Sequence, residues 1–268
     1  MTRETAEFFQ TAWTAAHAAG DLIRENWQRP KEIRFKGAID LVTSVDRESE
    51  RRIVEILRGN FPHHAILAEE ETDLAGGENG YRWIVDPLDG TTNFAHGYPQ
   101  FCVSIALEHE KNILIGIVYD PLRQECFSAI RGDGAKLNGE SIRTSEVLKL
   151  DHGLLATGFP YDRRENVDYY LAYFRAFLTR CQGIRRAGAA ALDLCYVACG
   201  RIDGYWEFKL RPWDTAAASL IVREAGGRLS DFKGNEFTIW GDEAMASNGL
   251  IHRQMIGSIR DIHHRTDD

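Results

Sequence analysis

The chain is sparing in several residue types, and each shortage removes a class of protein. It carries five cysteines in 268 residues and no CxxC pair. Five thiols cannot all pair internally, so they read as reduced cytosolic thiols rather than a disulfide framework. Cys195 and Cys199 lie four apart on an expected helix, where shared core packing explains them better than metal binding. Positive charge is short: 32 Lys and Arg stand against 40 Asp and Glu, a net charge of −8. That balance argues against nucleic acid as the main ligand. No apolar run approaches the roughly 20 residues needed to cross a bilayer. The opening Met-Thr-Arg-Glu lacks an apolar signal core, so the expected location is the cytoplasm. Linker-like segments, low-complexity stretches and internal repeats are missing too. The expectation is one unit over residues 1–268, with an N-terminal half over about 1–150 and a C-terminal half over 151–268.

What is present is concentrated in one dozen residues. Trp83-Ile84-Val85-Asp86-Pro87-Leu88-Asp89-Gly90-Thr91-Thr92-Asn93-Phe94 runs from an apolar strand straight into two carboxylates. Pro87 cannot donate to a sheet ladder, so the strand is expected to stop there. Two close anions need a cation, and hard oxygen ligands suit Mg2+. Gly90 lets the backbone approach a ligand, and Thr91 and Thr92 can open a helix whose free N–H groups bind phosphate. The simpler reading is a tight turn with two solvated Asp residues.

Two other acidic sites look like partners. Ala65-Ile66-Leu67-Ala68 leads into Glu69-Glu70-Glu71, which could also be a solvated loop. In Arg211-Pro212-Trp213-Asp214, the acid precedes the apolar run Ala216 to Val222, where capping a helix would account for it.

The order of elements is legible. Helical spacing of Phe8, Ala12, Ala15, Ala16, Ala19, Ile23 and Trp27 predicts an amphipathic helix over residues 4–28, ended by Pro30. A second helix is expected from Arg47 to Arg58. Strands follow at 65–68 and 81–85, then an antiparallel meander at 100–108, 113–119 and 124–130. Beyond residue 150, strands near 153–157, 184–186, 202–208 and 243–247 alternate with helices near 164–180, 189–199, 214–226 and 249–260.

With these motifs the chain resembles the inositol monophosphatase family of Mg2+-dependent phosphatases. Trp83 to Phe94 and Trp213 to Gly227 are similar to its two signatures. Lys36, Asp40 to Asp46, Glu69-Glu70, Arg185 to Cys195 and Gly204 to Glu207 extend the match in order. The wording at Arg186, Asp193 and Arg211-Pro212-Trp213 resembles bacterial members. The resemblance implies an α/β, αβαβα five-layer sandwich of the inositol monophosphatase/fructose-1,6-bisphosphatase type, a homodimer, and sensitivity to lithium.

It also implies roles. Glu69, Asp86 and the Leu88 carbonyl would hold one Mg2+, and Asp86, Asp89 and Asp214 a second. A weaker third ion would lean on Glu69. The nucleophile would be a metal-activated water oriented by Thr91, with Asp46 accepting from the Thr91 hydroxyl and Glu70 beside it. Capping a helix that starts at Arg47 is the simpler role for Asp46. Gly90 and Thr91 would bind phosphate oxygens, and Asp89, the backbone at Ala190 and Glu207 the polyol. Arg211 would meet a substrate anion or a partner subunit. Lys36 resembles a lysine near the metals, although a surface lysine is the simpler reading. An exposed acid at a strand end is the simpler reading of Glu207. Arg185 and Arg186 could bind a second phosphate, or meet Asp193 or a second subunit.

The implied activity is Mg2+-dependent hydrolysis of a small phosphate monoester, myo-inositol 1-phosphate first. Fructose 1,6-bisphosphate, histidinol phosphate, NADP and adenosine 3′,5′-bisphosphate are alternatives by the same chemistry. A regulatory or binding protein on a phosphatase scaffold is the competing class.

Overall fold

The computed structural model describes residues 2–29, 33–35, 41–77 and 80–265. Helix α1 (Arg3–Asn26) leads to a small antiparallel ribbon, β1 (Ile33–Phe35) and β2 (Leu41–Thr43), then to α2 (Ser44–Asn60). Strands β3 (Ala65–Ala68), β4 (Asp73–Leu74) and β5 (Tyr81–Asp89) precede the short helix α3 (Thr91–His96). The meander is β6 (Cys102–His109), β7 (Asn112–Asp120) and β8 (Glu125–Ile130), extended by β9 (Ala135–Leu137) and β10 (Glu140–Ser141). The alternating half comprises β11 (Leu154–Thr157), α4 (Val167–Leu178), β12 (Gly183–Arg185), α5 (Ala190–Ala198) and β13 (Gly204–Phe208). It closes with α6 (Pro212–Glu224), β14 (Arg228–Ser230), β15 (Glu243–Ser247) and α7 (His252–Arg265).

An eight-stranded sheet has the order β10-β9-β8-β7-β6-β5-β3-β4, and a five-stranded sheet the order β12-β11-β13-β15-β14. Alternation along each strand sends side chains to opposite faces, and three apolar clusters result. Phe8, Ala12, Ala16, Ile53 and Leu57 of α1 and α2 pack on Trp83, Val85, Val103 and Ile105 of the large sheet. The opposite face, with Ile84, Ala106 and Val118, meets α5 and α6, which also cover Tyr205, Ala244 and Ala246 of the small sheet. Leu155, Trp206 and Met245 on the far face of that sheet pack on Tyr173, Phe177, Met255 and Ile259 of α4 and α7. The layers therefore run helix, sheet, helix, sheet, helix.

Composition explains the middle layer. Helices covered on both sides must be apolar all round, and residues 215–222 of α6 are all buried. Small side chains then let the sheet approach. A Cβ on Gly116 of β7 would stand 2.4 Å from the Ala217 carbonyl oxygen of α6.

Several element boundaries differ from the sequence expectation. Helix α2 begins at Ser44 and α6 at Pro212, so neither Asp46 nor Asp214 occupies an N-cap; each is the third helical residue. Helix α1 ends at Asn26, while Pro30, Lys36 and Asp40 lie outside the described residues. The strand does not stop at Pro87 but runs to Asp89. Asp86 pairs with Ser104 and Asp89 with Cys102, so Pro87 and Leu88 oppose Val103 alone. This bulge absorbs the missing proline donor. It also changes parity: residues three apart on a regular strand face opposite ways, but Asp86 and Asp89 share a face because Ser104 and Cys102 do. Strands β4, β9, β10 and β14 were too short to stand out as alternating runs.

The close approach at Gly116 is testable. Gly116→Ala drives a methyl into main chain rather than into a flexible side chain. Overpacking of this kind should cost about 1–3 kcal/mol in urea unfolding. An unchanged midpoint would show that α6 yields freely.

Candidate active site

The carboxylates converge where three elements meet. Parallel β3 and β5 point their carboxyl ends at the same edge, with Ala68 opposite Val85. Helix α6 starts beside them, and α5 approaches from the small sheet. Asp86 and Asp89 are buried on β5, Glu69 and Glu70 are half-buried in the turn after β3, and Asp214 is half-buried in the first turn of α6.

Electrostatics show which acids lie within Coulombic reach of one another. Burial raises the Asp86 carboxyl well above the usual range, and the charges of Glu69, Asp89 and Asp214 raise it further. Asp89 is lifted by burial, against bonds from the α5 backbone, and by Glu207 and Glu69. Asp214 is lifted by burial and by Asp89 and Glu207, against a bond from Arg211. Local bonds hold the geometry. Leu88 N–H donates to Asp86 Oδ1 at 2.9 Å, Ala191 N–H to Asp89 Oδ2 at 2.8 Å, and Arg211 N–H to Asp214 Oδ2 at 2.6 Å. The Asp214 bond is part of the helix start, so capping and site geometry come from one side chain.

Asp46 also serves two purposes. Its Oδ2 accepts from the Thr43 N–H at 2.9 Å, closing a capping box on α2. Its Oδ1 accepts from Thr91 Oγ1 at 2.8 Å. Burial pushes its carboxyl upward, while the Thr43 and Thr91 bonds oppose that shift. The Leu88 carbonyl lies 3.1 Å from the same Thr91 hydroxyl. Gly90 opens α3 at φ 92°, and a Cβ there would come 2.8 Å from the Gln100 carbonyl oxygen. Only glycine suits that turn.

The opposite wall comes from the C-terminal half. Glu207 is half-buried within β13 rather than exposed at a strand end; burial lifts its carboxyl to about 7, and the Tyr205 hydroxyl donates to it. Ala190 opens α5, and Arg211, exposed, precedes α6. Arg186 holds down the carboxyls of both Asp193 and Glu207 against their burial. Lys209, whose role was not legible in the sequence, pairs with Asp162 at 2.6 Å.

Sequence reasoning passed over residues that brace this edge. Asn93 Nδ2 donates to the carbonyls of Gln100, Ala187 and Gly188, fastening α3 to the segment before α5. Glu50 is buried in α2 and accepts from the turn after β3. Its signal was available: an acid at the spacing of the inward Ile53 and Leu57.

Among the described residues, no three His, Cys, Asp or Glu side chains form a ready coordination set. The donor chemistry nonetheless fits a divalent cation. Glu69, Asp86, Asp89 and Asp214 are hard oxygen donors that destabilise one another as anions, and a cation relieves that repulsion.

The model of the inositol monophosphatase family matches residues 4–264. The chain belongs to this family. It is 43% identical over 249 residues to the Nus factor SuhB of Escherichia coli strain K12, covering 92% of this chain and 93% of that protein. It is 46% identical over 249 residues to the inositol-1-monophosphatase of Synechocystis, covering 92% and 87%. The crystal structure of extragenic suppressor protein suhB from Bartonella henselae matches at TM-score 0.90 and 39% identity, covering 93% and 96%. The α/β fold is that of the family. The protein is a phosphatase that hydrolyses phosphate monoesters, and family membership implies a divalent-metal requirement. Among the described residues no helix is long and apolar enough to cross a membrane.

The raised carboxyls give a pH dependence with a definite sign. Between about pH 4.5 and about 7, Glu207 keeps its proton in the folded state and loses it on unfolding. Its contribution to stability is full below that window and is lost as pH rises through it. The Tm of chelator-treated protein should therefore fall across the window, and saturating Mg2+ should recover much of the loss by relieving the neighbouring acids. A flat calorimetric profile in chelator would contradict the assignment.

Proposed function

We propose that this phosphatase acts on a polyol monophosphate, myo-inositol 1-phosphate foremost, with Mg2+ as its cation. The observation that carries this reading is Glu207, whose charge raises the carboxyls of both Asp89 and Asp214 and which therefore lies within Coulombic reach of the two. A carboxylate accepts from two adjacent hydroxyls, which a polyol offers. The name of the Synechocystis relative supports the same substrate.

Glu69, Asp86 and the Leu88 carbonyl would hold one cation, and Asp86, Asp89 and Asp214 a second. When bound, the cations supply Lewis-acid activation of water and neutralise charge on the leaving oxygen. The protein's own groups then position the reactants. Thr91 donates its proton to Asp46, which leaves the threonine lone pairs to accept a hydrogen from the attacking water. Glu70 flanks that water. The backbone N–H groups of Gly90 and Thr91 receive phosphate oxygens, and Asp89, Glu207 and the backbone at Ala190 orient the polyol. Arg211, exposed ahead of α6, would meet an anionic part of the substrate.

A second reading has one observation behind it: the Escherichia coli relative is named a Nus factor. A non-catalytic role could accompany hydrolysis here. A phosphate-release screen with Mg2+ tests the first. It covers inositol 1-phosphate, fructose 1,6-bisphosphate, histidinol phosphate, NADP and adenosine 3′,5′-bisphosphate, with a chelator control. Turnover confined to inositol 1-phosphate supports that reading, and preferred turnover of another ester overturns it.

Glu207→Gln sharpens the substrate assignment. Hydrogen bonds to a charged acceptor are worth roughly 1.5–3 kcal/mol each, so kcat/KM for inositol 1-phosphate should drop about tenfold or more. An aryl phosphate, which lacks the hydroxyls, should lose far less. Equal losses on both would assign Glu207 to support of the fold.

Thr91→Ala should cut kcat strongly and leave KM nearly unchanged, because orienting water matters on the way to the transition state. Asp46→Asn acts in the same step, so the double variant should cost less than the two singles combined. Additive losses would separate the two residues.

A further inference from the structure

Glu50 is buried in α2, 3% exposed, where an apolar residue would cost less to desolvate. Its own helix does not explain it, because Thr43 and Asp46 already cap α2. Its bonds go elsewhere. Oε2 accepts from Glu70 N–H at 2.8 Å, and Oε1 accepts from Glu71 N–H at 2.9 Å and Thr72 Oγ1 at 2.7 Å. Three donors from consecutive residues therefore converge on one buried carboxylate. The turn they belong to is closed by Ala68 N–H on the Thr72 carbonyl and tied to β5 by Glu69 N–H on the Val85 carbonyl.

This placement is electrostatically adverse. Glu50 brings a further acidic side chain behind Glu69 and Glu70, in a turn already rich in carboxyl groups. Replacing a buried ionic group by an apolar one is often neutral or stabilising. Geometry supplies the compensation. Asp46 and Glu50 are four apart on α2 and so share a face, roughly one helical turn from each other. Asp46 grips Thr91 while Glu50 grips residues 70–72. One rigid helix thus sets the distance between the hydroxyl that orients water and the turn that presents Glu69 and Glu70.

We propose that Glu50 is a positioning residue that pre-forms the cation-binding turn at residues 69–72 and registers it against Thr91; this rests on the reading of Glu69 and Asp86 as cation ligands. Its carboxylate acts through the backbone of the turn and does not itself touch substrate or cation.

The test uses the full chain with Glu50→Gln and Thr72→Val. Glutamine keeps the shape but turns one acceptor into a donor that faces other donors. Thr72→Val removes one bond and leaves the carboxylate. Mg2+ binding is followed by titration calorimetry, and amide hydrogen exchange is measured in the metal-free protein. Glu50→Gln should weaken Mg2+ binding by about tenfold or more and Thr72→Val by about threefold, with faster exchange at Glu70 and Glu71 in Glu50→Gln. Mg2+ affinity within about twofold of the native value in Glu50→Gln would overturn the proposal, whatever its Tm. If Glu50→Gln does not fold, native affinity in Thr72→Val overturns it instead. Asp86→Asn separates this failure from failure of the underlying reading. If Asp86→Asn binds Mg2+ normally, the cation site itself is misassigned.

Discussion

Mutual repulsion among the acids at the carboxyl edge of β3 and β5 is the constraint on which this structure turns. Glu69, Asp86, Asp89 and Asp214 come from three separate stretches of chain, and each makes ionisation of another harder. Like charges do not assemble unaided in a medium of low dielectric. Packing must force them together against that repulsion. The strength of the surrounding scaffold is in that sense a requirement of the chemistry.

The scaffold meets it by giving the aspartates of this edge local duties. Asp86 receives the Leu88 N–H within the bulge, Asp89 receives α5, Asp214 completes the first turn of α6, and Asp46 completes that of α2. These four aspartates are thereby tied to backbone donors that would otherwise be unsatisfied. Such bonds fix the orientation of each of these carboxyls. The alanine-rich middle layer contributes differently. Thin helices bring both sheets close to α5 and α6, which sets Glu207 of the small sheet within Coulombic reach of Asp89 and Asp214.

Glu207 illustrates how environment assigns a role. The Tyr205 hydroxyl fixes one of its oxygens, Arg186 favours its ionised form, and burial opposes that form. The result is a carboxyl that titrates near neutrality within Coulombic reach of Asp89 and Asp214. Two residues on, Lys209 pairs with Asp162, but both partners retain solvent exposure. Such pairs contribute about 0–1 kcal/mol. It ties the end of β13 to the segment ahead of α4.

Much of this was present in the chain as a string. Helices α1, α2, α4 and α5, the meander of β6 to β8, and the β11 to β13 alternation follow from periodicity and turn residues, because those patterns report which face is buried. The acids at 69, 86, 89 and 214 stood out because apolar runs ended in charge. Tertiary structure decided what the string could not. Local capping rules put Asp46 and Asp214 at helix starts but not at the third position, since the exact first turn depends on what the preceding backbone pairs with. Pro87 read as a strand end, while the ladder with β6 carried the strand past it through a bulge and so turned Asp86 and Asp89 to one face. The work of Glu50 and Asn93 was invisible for the same reason: apart from Gln100, their partners lie 20 to 95 residues away in sequence. Periodicity records burial along one element, whereas a site is made by contacts between elements, and only the folded chain brings those donors and acceptors within bonding distance.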